Sequence, residues 1–384
     1  MCSATMSGDR PTATSERRRS VLISADPGAE RIAAWDRLVD ATPGSDVTQL
    51  SAWARFRRHY GFDSLYLVVR DGSRLVAGAQ VLHRRIRPIG TIGYVPFGPI
   101  VDPDVADHAH IAALLARELT ALACGWFRML IVQPPNAAAG IGERLLQQGF
   151  RRSTDPLVMA GSVQVDLTAS EERLRRNLSK SVRRWTNKWA EAGVTVRTGD
   201  HRDLPLLADL MARSAEHQGF TPLSEEYITT LYRQLAPEHV VLFVGEVHGI
   251  PRAAEMHTLC GGVAKARLTG IDRSSDAAKL QLTAAITWTA IRWARDACFL
   301  RFDLGGLGEG PLSGLVDGAA HQESDWDGGD RFKLKFGGTA FRYPATVELI
   351  RPWPARRAYE LARHSQRGRR LVERTARRLR GGRT

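Results

Sequence analysis

The sequence lacks an uninterrupted apolar run of about 18 residues, the length that a membrane-spanning helix requires. The first twenty residues are polar and contain proline and glycine, so they also lack the apolar core of a signal peptide. Cysteine is scarce, and the four that occur are far apart, with no C-x-x-C pair and no Cys/His cluster. We therefore expect neither export, nor a disulfide framework, nor a zinc site. The expected location is the cytoplasm, or the inner face of the membrane as a peripheral protein.

Several catalytic motifs are missing as well. There is no H-E-x-x-H metal motif and no G-x-S-x-G nucleophile elbow. Neither a G-x-x-x-x-G-K-[ST] loop nor a G-x-G-x-x-G turn after a strand occurs, so nucleotide hydrolysis is not expected. These absences lead us to expect no metal and no resident cofactor.

Positive charge is concentrated at the C-terminal end of the chain. The formal net charge is +13. Residues 351–384 contain twelve arginines and two glutamates, a net +10, so the preceding 350 residues carry only +3. A basic segment of this kind favours an anionic partner, such as a nucleic-acid backbone or an anionic membrane surface. We expect any such contact to come mainly from this tail.

The length and hydrophobic pattern indicate two globular α/β units. With 384 residues, of which 43% are hydrophobic, the chain exceeds the usual size of one domain. A hairpin, a helix and a strand follow one another in the first part, and a meander over 240–271, a helix and a strand repeat that order later. We predict disorder over 1–20, one unit over 21–160, a second over 161–345, and an arginine-rich helical segment over 346–384 that could pack back on the first unit.

A helix predicted from Glu171 to Ala192 carries two stripes at helical spacing. One stripe is apolar and the other is cationic. The cationic stripe could be a wall that faces phosphates, and the alternative is an ordinary solvated face. The apolar stripe consists of Leu174, Leu178, Val182, Trp185 and Trp189, and the cationic one of Arg173, Arg176, Lys180, Arg184 and Lys188.

A carboxylate followed by two glycines stands after a predicted strand, in the run Asp303-Leu304-Gly305-Gly306. Strand ends in α/β sheets border the ligand crevice, so Asp303 is placed to orient a substrate. Gly305 and Gly306 would let a ligand approach the backbone closely. The alternative is a capping aspartate in a tight turn.

A second motif, Phe332-Lys333-Leu334-Lys335-Phe336-Gly337-Gly338, alternates hydrophobic and cationic residues. This alternation predicts a strand with Lys333 and Lys335 on one face. A positioned ammonium can stabilise the oxyanion that forms during acyl transfer. The alternative is an edge strand protected by lysines.

These segments together resemble the Fem family of aminoacyl-tRNA-dependent peptidyltransferases, which are related to acetyltransferases and build peptidoglycan cross-bridges. The resemblance covers about Thr48 to Tyr343 and implies two tandem GNAT-like (acetyltransferase-like) domains with mixed sheets. Its markers are the run from Gln49 to Trp53 with Arg57, the run from Gly93 to Pro99, Asp166-Leu167, Arg183, Gly193-Val194, Asp303-Leu304-Gly305-Gly306, and Phe332-Lys333 with Phe336-Gly337.

The resemblance also assigns roles to single residues. It implies that Lys333, with Phe332 beside it, stabilises the transferring acyl group, and that Arg57 helps to hold nucleotide-sugar phosphates. Tyr227 occupies the tyrosine of a family Arg-x-x-x-Tyr motif, although Leu223 replaces its arginine. With Asp303 as a further catalytic residue, the expected substrate-binding residues are Arg57, Arg183, Tyr227, Phe332, Gly305 and Gly306.

The sequence leaves three possible functions open. The first is transfer of an aminoacyl group from aminoacyl-tRNA to an amine of a peptide or nucleotide-sugar-peptide acceptor, as in peptidoglycan and cell-wall synthesis. The second is an acyl-CoA-dependent N-acyltransferase. Neither Asp272–Ala278 nor Asp102–Ala106, however, has the glycine-containing R-x-x-G-x-G/A pattern that cradles the CoA pyrophosphate. The third is a non-catalytic scaffold whose basic tail binds anions.

Overall fold

The computed structural model describes residues 19–136, 140–154, 157, 159–218, 221–273, 277–320, 322 and 326–380. Most of the segment predicted to be disordered, 1–18, lies outside the described residues. Arg19 and Ser20 correct that prediction, because they open a strand whose backbone pairs with Asp71 and Arg70. No described helix is long and apolar enough to cross a membrane.

The first half of the chain alternates helices and strands. Its elements are β1 (Arg19–Ser24), α1 (Ala29–Ala41), α2 (Ser51–Arg58), β2 (Asp63–Asp71), β3 (Arg74–Ile86), β4 (Gly90–Val95), β5 (Ile100–Val101), α3 (His108–Gly125), β6 (Met129–Val132), α4 (Ile141–Gln147) and β7 (Arg151–Arg152).

The second half repeats this alternation and ends in two helices. Its elements are β8 (Gly161–Asp166), α5 (Glu171–Asn177), α6 (Lys180–Trp185), β9 (Val194–Gly199), α7 (Leu204–Gln218), α8 (Glu225–Leu235), β10 (Val240–Val247), β11 (Ile250–Cys260), β12 (Val263–Ile271), α9 (Leu282–Asp296), β13 (Arg301–Leu307), α10 (Glu309–Leu315), α11 (Gly328–Lys333), β14 (Thr339–Arg342), β15 (Val347–Ile350), α12 (Trp353–His364) and α13 (Gln366–Arg380).

The strands form two mixed sheets of matching design. The first sheet has the order β1-β2-β3-β4-β6-β15-β7, with β5 beside β3, and the second has the order β14-β8-β13-β12-β11-β10-β9. In each described sheet one central pair is parallel, β4 with β6 and β12 with β13, and a helix connects its strands, α3 and α9 respectively. This repeated arrangement confirms the predicted mixed α/β fold of two similar units.

One hydrophobic core joins the two halves. The side chains of strand β10 alternate between the two faces of the second sheet, and one of these faces belongs to the shared core. Leu242 and Val244 face a cluster that also contains Phe56 and Leu82 of the first half, whereas Val241 and Phe243 pack under α9. The faces of both sheets thus meet across α1, α2, α7 and α8, and this contact fixes the position of one half against the other.

Two predicted elements were wrong in their local structure. The predicted helix from Glu171 to Ala192 is broken after α5, because Ser179 caps a separate helix, α6. The predicted strand at Phe332 is helical, formed by α11 and a 3-10 turn over Leu334–Phe336. Phe332 and Phe336 pack edge to face with their ring centroids 5.2 Å apart, a contact that helical i, i+4 spacing allows.

The C-terminal segment is part of the first half's structure. Strand β15 lies between β6 and β7, so the chain returns to the first sheet after completing the second. The two helices that follow, α12 and α13, contact each other. Leu379 near the end of α13 is buried in the core that joins the halves, whereas Leu361 on α12 is 70% exposed.

These two leucines test whether α13 is docked. Leu379→Ala removes buried methyl groups and is expected to lower the free energy of unfolding by about 2–4 kcal/mol. Leu361→Ala is the matched control and should change it by less than about 0.5 kcal/mol. Urea titration followed by circular dichroism measures both. Equal, small effects of the two substitutions would contradict the docked position of α13.

Candidate active site

A cleft of about 560 Å³ opens between the two halves of the chain. The first half contributes the loop that precedes the 3-10 turn at Val47, together with Phe97. The second half contributes the turn between β11 and β12, the start of β13, and residues around β14. Asp303 lies in this cleft, and several polar side chains that the sequence did not single out lie with it.

A direct backbone contact closes one end of the cleft. The amide of Gly44 donates to the carbonyl oxygen of Gly261, 2.8 Å away. Gly261 has a φ of 56°, and a Cβ placed there would lie 2.4 Å from the Ser45 hydroxyl oxygen. Only glycine fits this position, because both the backbone conformation and the close approach of the loop exclude a side chain.

The central feature of the cleft is an ion pair between its two walls. The Lys265 ammonium on β12 donates to an Asp46 carboxylate oxygen 3.0 Å away, and both side chains are largely buried, at 17% and 8% exposed. Burial alone would raise the pKa of Asp46, but the charges of Lys265 and Arg267 lower it to about 2. Burial opposes ionisation of Lys265 too, yet Asp46 leads a set of neighbours that raise its pKa above the usual value. Both groups are charged at neutral pH.

Aromatic rings surround the Lys265 ammonium. The nitrogen lies 4.6 Å from the centre of the Phe97 ring and 5.6 Å from that of Tyr343, distances suited to cation–π attraction. It also donates to the Tyr343 hydroxyl at 3.4 Å. Burial raises the pKa of that phenol, and nearby Asp303 raises it further against the opposing effect of Lys265. Tyr343 is therefore a neutral hydrogen-bond donor at neutral pH.

Tyr343 links the ion pair to Asp303. Its hydroxyl donates to the Asp303 carboxylate at 3.3 Å. The same carboxylate, only 1% exposed, accepts hydrogen bonds from the Ser162 hydroxyl, from the Gln164 amide at 3.3 Å and from the backbone amide of Gly305 at 2.9 Å. With its oxygens engaged in this way, Asp303 is suited to orienting the strand and Tyr343.

The charged side chains that line the described cleft have mixed signs. Three are carboxylates, Asp46, Asp166 and Asp303, and two are cations, Lys265 and Arg301. This balance gives no excess of positive charge that would select a polyphosphate. Of the three carboxylates, Asp166 is the exposed one, and an exposed carboxylate favours a cation such as an ammonium group. Within the described chain, no group of three or more His, Cys, Asp or Glu side chains is arranged to hold a metal ion.

Lys333 contacts the Gly305-Gly306 segment but is not among the described residues that line the cleft. From α11 it donates to the carbonyl oxygen of Gly306, and to Asp330 at 3.3 Å. Asp330 is buried and also accepts from the amide of Gly308 at 3.1 Å. Lys333 is thus held at the end of β13 while its side chain stays 24% exposed.

The two glycines between Asp303 and Lys333 form an irregular segment. The pairing of β13 with β8 shifts register between Asp303 and Gly306, and Gly305 has a φ of 92°, which favours glycine. The Ser162 hydroxyl, which contacts Asp303, shares its proton with the carbonyl oxygen of Gly305, and the carbonyl oxygen of Gly306 accepts from Lys333. Asp303, Gly305 and Gly306 of β13 and Lys333 of α11 are therefore brought together, and Phe332 packs against Phe336.

Arg57 and Tyr227 form a separate cluster where α2 meets α8. Arg57 is 5% exposed, stacks over Phe62 at 4.1 Å and donates to the carbonyl oxygen of Leu379 at the end of α13. Tyr227 packs against Phe56, with ring centroids 4.9 Å apart. Burial lowers the pKa of Arg57. Neither residue is among the described residues that line the cleft.

Arg183 belongs to neither of these groups of residues. It lies on α6 and donates to the carbonyl oxygen of Arg176 at 2.8 Å in an exposed position. The break between α5 and α6 divides the cationic stripe that the sequence predicted, so no continuous basic wall forms there. Arg183 too is absent from the described lining of the cleft.

Asp46, Lys265 and Tyr343 are not among the site residues predicted from the sequence, and Lys265 falls within the predicted meander over 240–271. A usable signal was present at Lys265, which stands between two alanines in a strand. A lysine in a mostly buried strand needs a partner of opposite charge, because an unpaired buried charge is costly. The partner's identity could not be read from that pattern.

The comparisons with known proteins agree with this architecture. Residues 161–324 match a family model described as an acetyltransferase (GNAT) domain. A search of curated protein sequences finds no match. Among solved structures, FemX superposes with a TM-score of 0.72 at 15% sequence identity, over 86% of this chain and 98% of that one.

The chain has the fold of FemX. Other similar structures are the C-terminal domain of a putative lysylphosphatidylglycerol synthetase from Agrobacterium fabrum and L-PGS from Bacillus licheniformis. The first has a TM-score of 0.52 at 15% identity over 86% of this chain and 94% of that one. The second has a TM-score of 0.50 at 14% identity over 86% of this chain and 95% of that one. The predicted tandem of GNAT-like units and the Fem-like fold are thereby confirmed.

The Asp46–Lys265 pair predicts a pH dependence of stability. The pKa of Asp46 is about 2 in the fold, against an ordinary value of 3.8. A carboxyl with a lowered pKa stabilises the fold fully above its ordinary value and loses that contribution as the pH falls towards 2. As the pH falls from 6 to 2, the free energy of unfolding of Asp46→Asn should therefore decrease by about 2 kcal/mol less than that of the wild type. Urea titrations from pH 6 to pH 2 measure it, and parallel wild-type and variant curves would exclude the ionised pair.

Proposed function

We propose that the protein is an N-acyltransferase that moves an aminoacyl group from aminoacyl-tRNA to an amine of a peptide bound between its two halves. The observation that carries this proposal is that the Gly305-Gly306 segment of β13 adjoins both the polar network of the cleft and the Lys333 ammonium. The network of Asp46, Lys265, Tyr343 and Asp303 reaches this segment through the Gly305 amide, which donates to Asp303, and Lys333 donates to the carbonyl oxygen of Gly306.

The charges of the cleft support an amine-bearing acceptor. Asp166 offers an exposed carboxylate at the wall of the cleft, and a carboxylate attracts an ammonium group. Arg57, the residue expected to hold nucleotide-sugar phosphates, is buried under the end of α13 instead. These contacts favour a peptide acceptor over one recognised by a sugar-linked diphosphate.

The sequence before the helices favours a tRNA donor over CoA. A CoA pyrophosphate is usually held by glycine-rich backbone at a helix N-terminus. Residues 271–281, which precede α9, contain no glycine, and neither do residues 101–108 before α3. The arginine-rich tail provides a surface that attracts the phosphates of a tRNA without reading its sequence.

The reaction requires positioning more than activation, because an aminoacyl ester is already reactive. The acceptor amine attacks the ester carbonyl, a C–N bond forms, and the bond to the tRNA 3′ oxygen breaks. The amine proton passes to that leaving oxygen, so atoms balance without a cofactor. The Lys333 ammonium would stabilise the negative carbonyl oxygen of the intermediate, and the network around Asp303 would hold β13 in place.

Lys333 and its neighbour Lys335 provide a matched test of the catalytic assignment. Lys333→Ala should lower kcat by about 10²–10³-fold, the usual effect of removing one oxyanion donor. Lys335→Ala removes an equal charge two residues away and should leave kcat near the wild-type value. Single-turnover transfer to a peptide amine is the measurement. Wild-type rates in Lys333→Ala would exclude Lys333 as the oxyanion donor, and absence of transfer by the wild type itself would favour the non-catalytic scaffold.

The donor is tested by offering both candidates to the same acceptor. The purified protein is incubated with a short peptide that has a free lysine amine, together with either total charged tRNA or acetyl-CoA. We expect a mass increase of one aminoacyl residue with charged tRNA, and loss of this product after ribonuclease treatment. Acylation only with acetyl-CoA would contradict the tRNA donor and support the acyl-CoA alternative.

A further inference from the structure

Two tryptophans are highly exposed where the interior strands β4, β6 and β15 of the first sheet begin or end. Trp126, which follows α3, and Trp353, which begins α12, are each 62% exposed. Both line a surface cleft of about 520 Å³ that also contains Arg128 and Arg351. Exposed clusters of large apolar side chains usually mark an interaction surface.

The backbone around the two rings is held in place by hydrogen bonds. Arg128 donates to the carbonyl oxygen of Arg351 at 3.2 Å, and the amide of Arg351 donates to the carbonyl oxygen of Arg128 at 2.9 Å. The side chain of Arg351 reaches the sulfur of Cys124 at 3.3 Å. These contacts tie the end of α3 to the start of α12, so both indole rings are presented from a fixed frame.

Helix α12 extends the same surface outward. Trp353, Arg357 and Leu361 follow at intervals of four residues and therefore lie along one side of the helix. The Arg357 guanidinium lies 4.8 Å from the Trp353 ring centre, and Leu361 is 70% exposed. This row is distinct from the apolar side of α13, whose Leu379 is buried in the core.

We propose that this surface, formed by Trp126, Arg128, Arg351, Trp353, Arg357 and Leu361, binds an anionic phospholipid bilayer. Tryptophan rings settle at the depth of lipid headgroups, arginines reach the phosphates, and an exposed leucine enters the acyl boundary. The net +10 charge of residues 351–384 adds long-range attraction to an anionic leaflet. Attachment is shallow, with the described helices lying at the membrane surface.

The apolar groups favour a bilayer over a nucleic acid. Arginines alone would serve either partner, because both present phosphates. Leu361 has no aromatic face on which a base could stack, yet it is more exposed than either tryptophan. An aliphatic side chain beside two indoles and a row of arginines matches the layered chemistry of a membrane interface.

Vesicle flotation of the full chain tests the proposal. Vesicles of phosphatidylcholine with about 30% phosphatidylglycerol, at about 0.15 M salt, should bind the wild type, and pure phosphatidylcholine should not. Trp126→Ala/Trp353→Ala should weaken binding at least about tenfold. Arg351→Gln and Arg357→Gln should each weaken it by about fivefold. Ile250→Ala, which alters a 51% exposed apolar residue of the second sheet, should bind like the wild type.

Thermal unfolding of each variant separates lost binding from lost folding, since all the altered side chains are on the surface. Wild-type binding by the double tryptophan variant would overturn the proposal, as would failure of the wild type to float with anionic vesicles. Total tRNA is assayed in parallel by filter binding. If the tryptophan substitutions abolished tRNA binding while vesicles stayed unbound, the surface would be a nucleic-acid site and the proposal would be wrong.

Discussion

The ion pair between Asp46 and Lys265 connects the two halves of the chain at the candidate active site. Asp46 comes from a loop of the first half and Lys265 from a strand of the second, 219 residues later. An ion pair in a largely buried position persists only when further contacts satisfy both groups. Here Thr48, Phe97 and Tyr343 make these further contacts. Tyr343 also donates to Asp303 and so connects the ion pair to that carboxylate. The geometry of the cleft follows from that arrangement.

The architecture was accessible from the sequence because hydrophobic periodicity fixes local structure. The hairpin of β2 and β3, the meander of β10 to β12 and the long helices all follow patterns that adjacent residues determine. The errors occurred where two periodicities compete. In the segment from Phe332 to Phe336, alternation suggested a strand, but the i, i+4 pair of phenylalanines and the capping by Asp327 favour a helix. Ser179 broke the long basic helix through the same kind of capping.

Only part of the site could be predicted from the sequence. The residues that were not predicted share a physical reason. Asp303 and Lys333 stand in short motifs that the sequence displays. Asp46 and Lys265 become partners only when the fold brings distant segments together, so neither is conspicuous alone. The role of Arg57 also depends on a distant contact. Its guanidinium donates to the carbonyl oxygen of Leu379, 322 residues further along the chain, and is covered there. Side-chain roles that depend on such contacts require the tertiary structure.

We propose that the Asp46–Lys265 pair belongs to the acceptor site and is more than a link between the halves. The most direct measurement compares Asp46→Asn/Lys265→Met with the wild type in both unfolding free energy and peptide-acceptor kinetics. Replacing both partners together avoids an unpaired buried charge, so stability should stay closer to the wild type than in either single variant. We predict that kcat/KM for the acceptor nevertheless falls at least about tenfold. A double variant with wild-type kcat/KM would show that the pair only joins the halves, and would contradict the account.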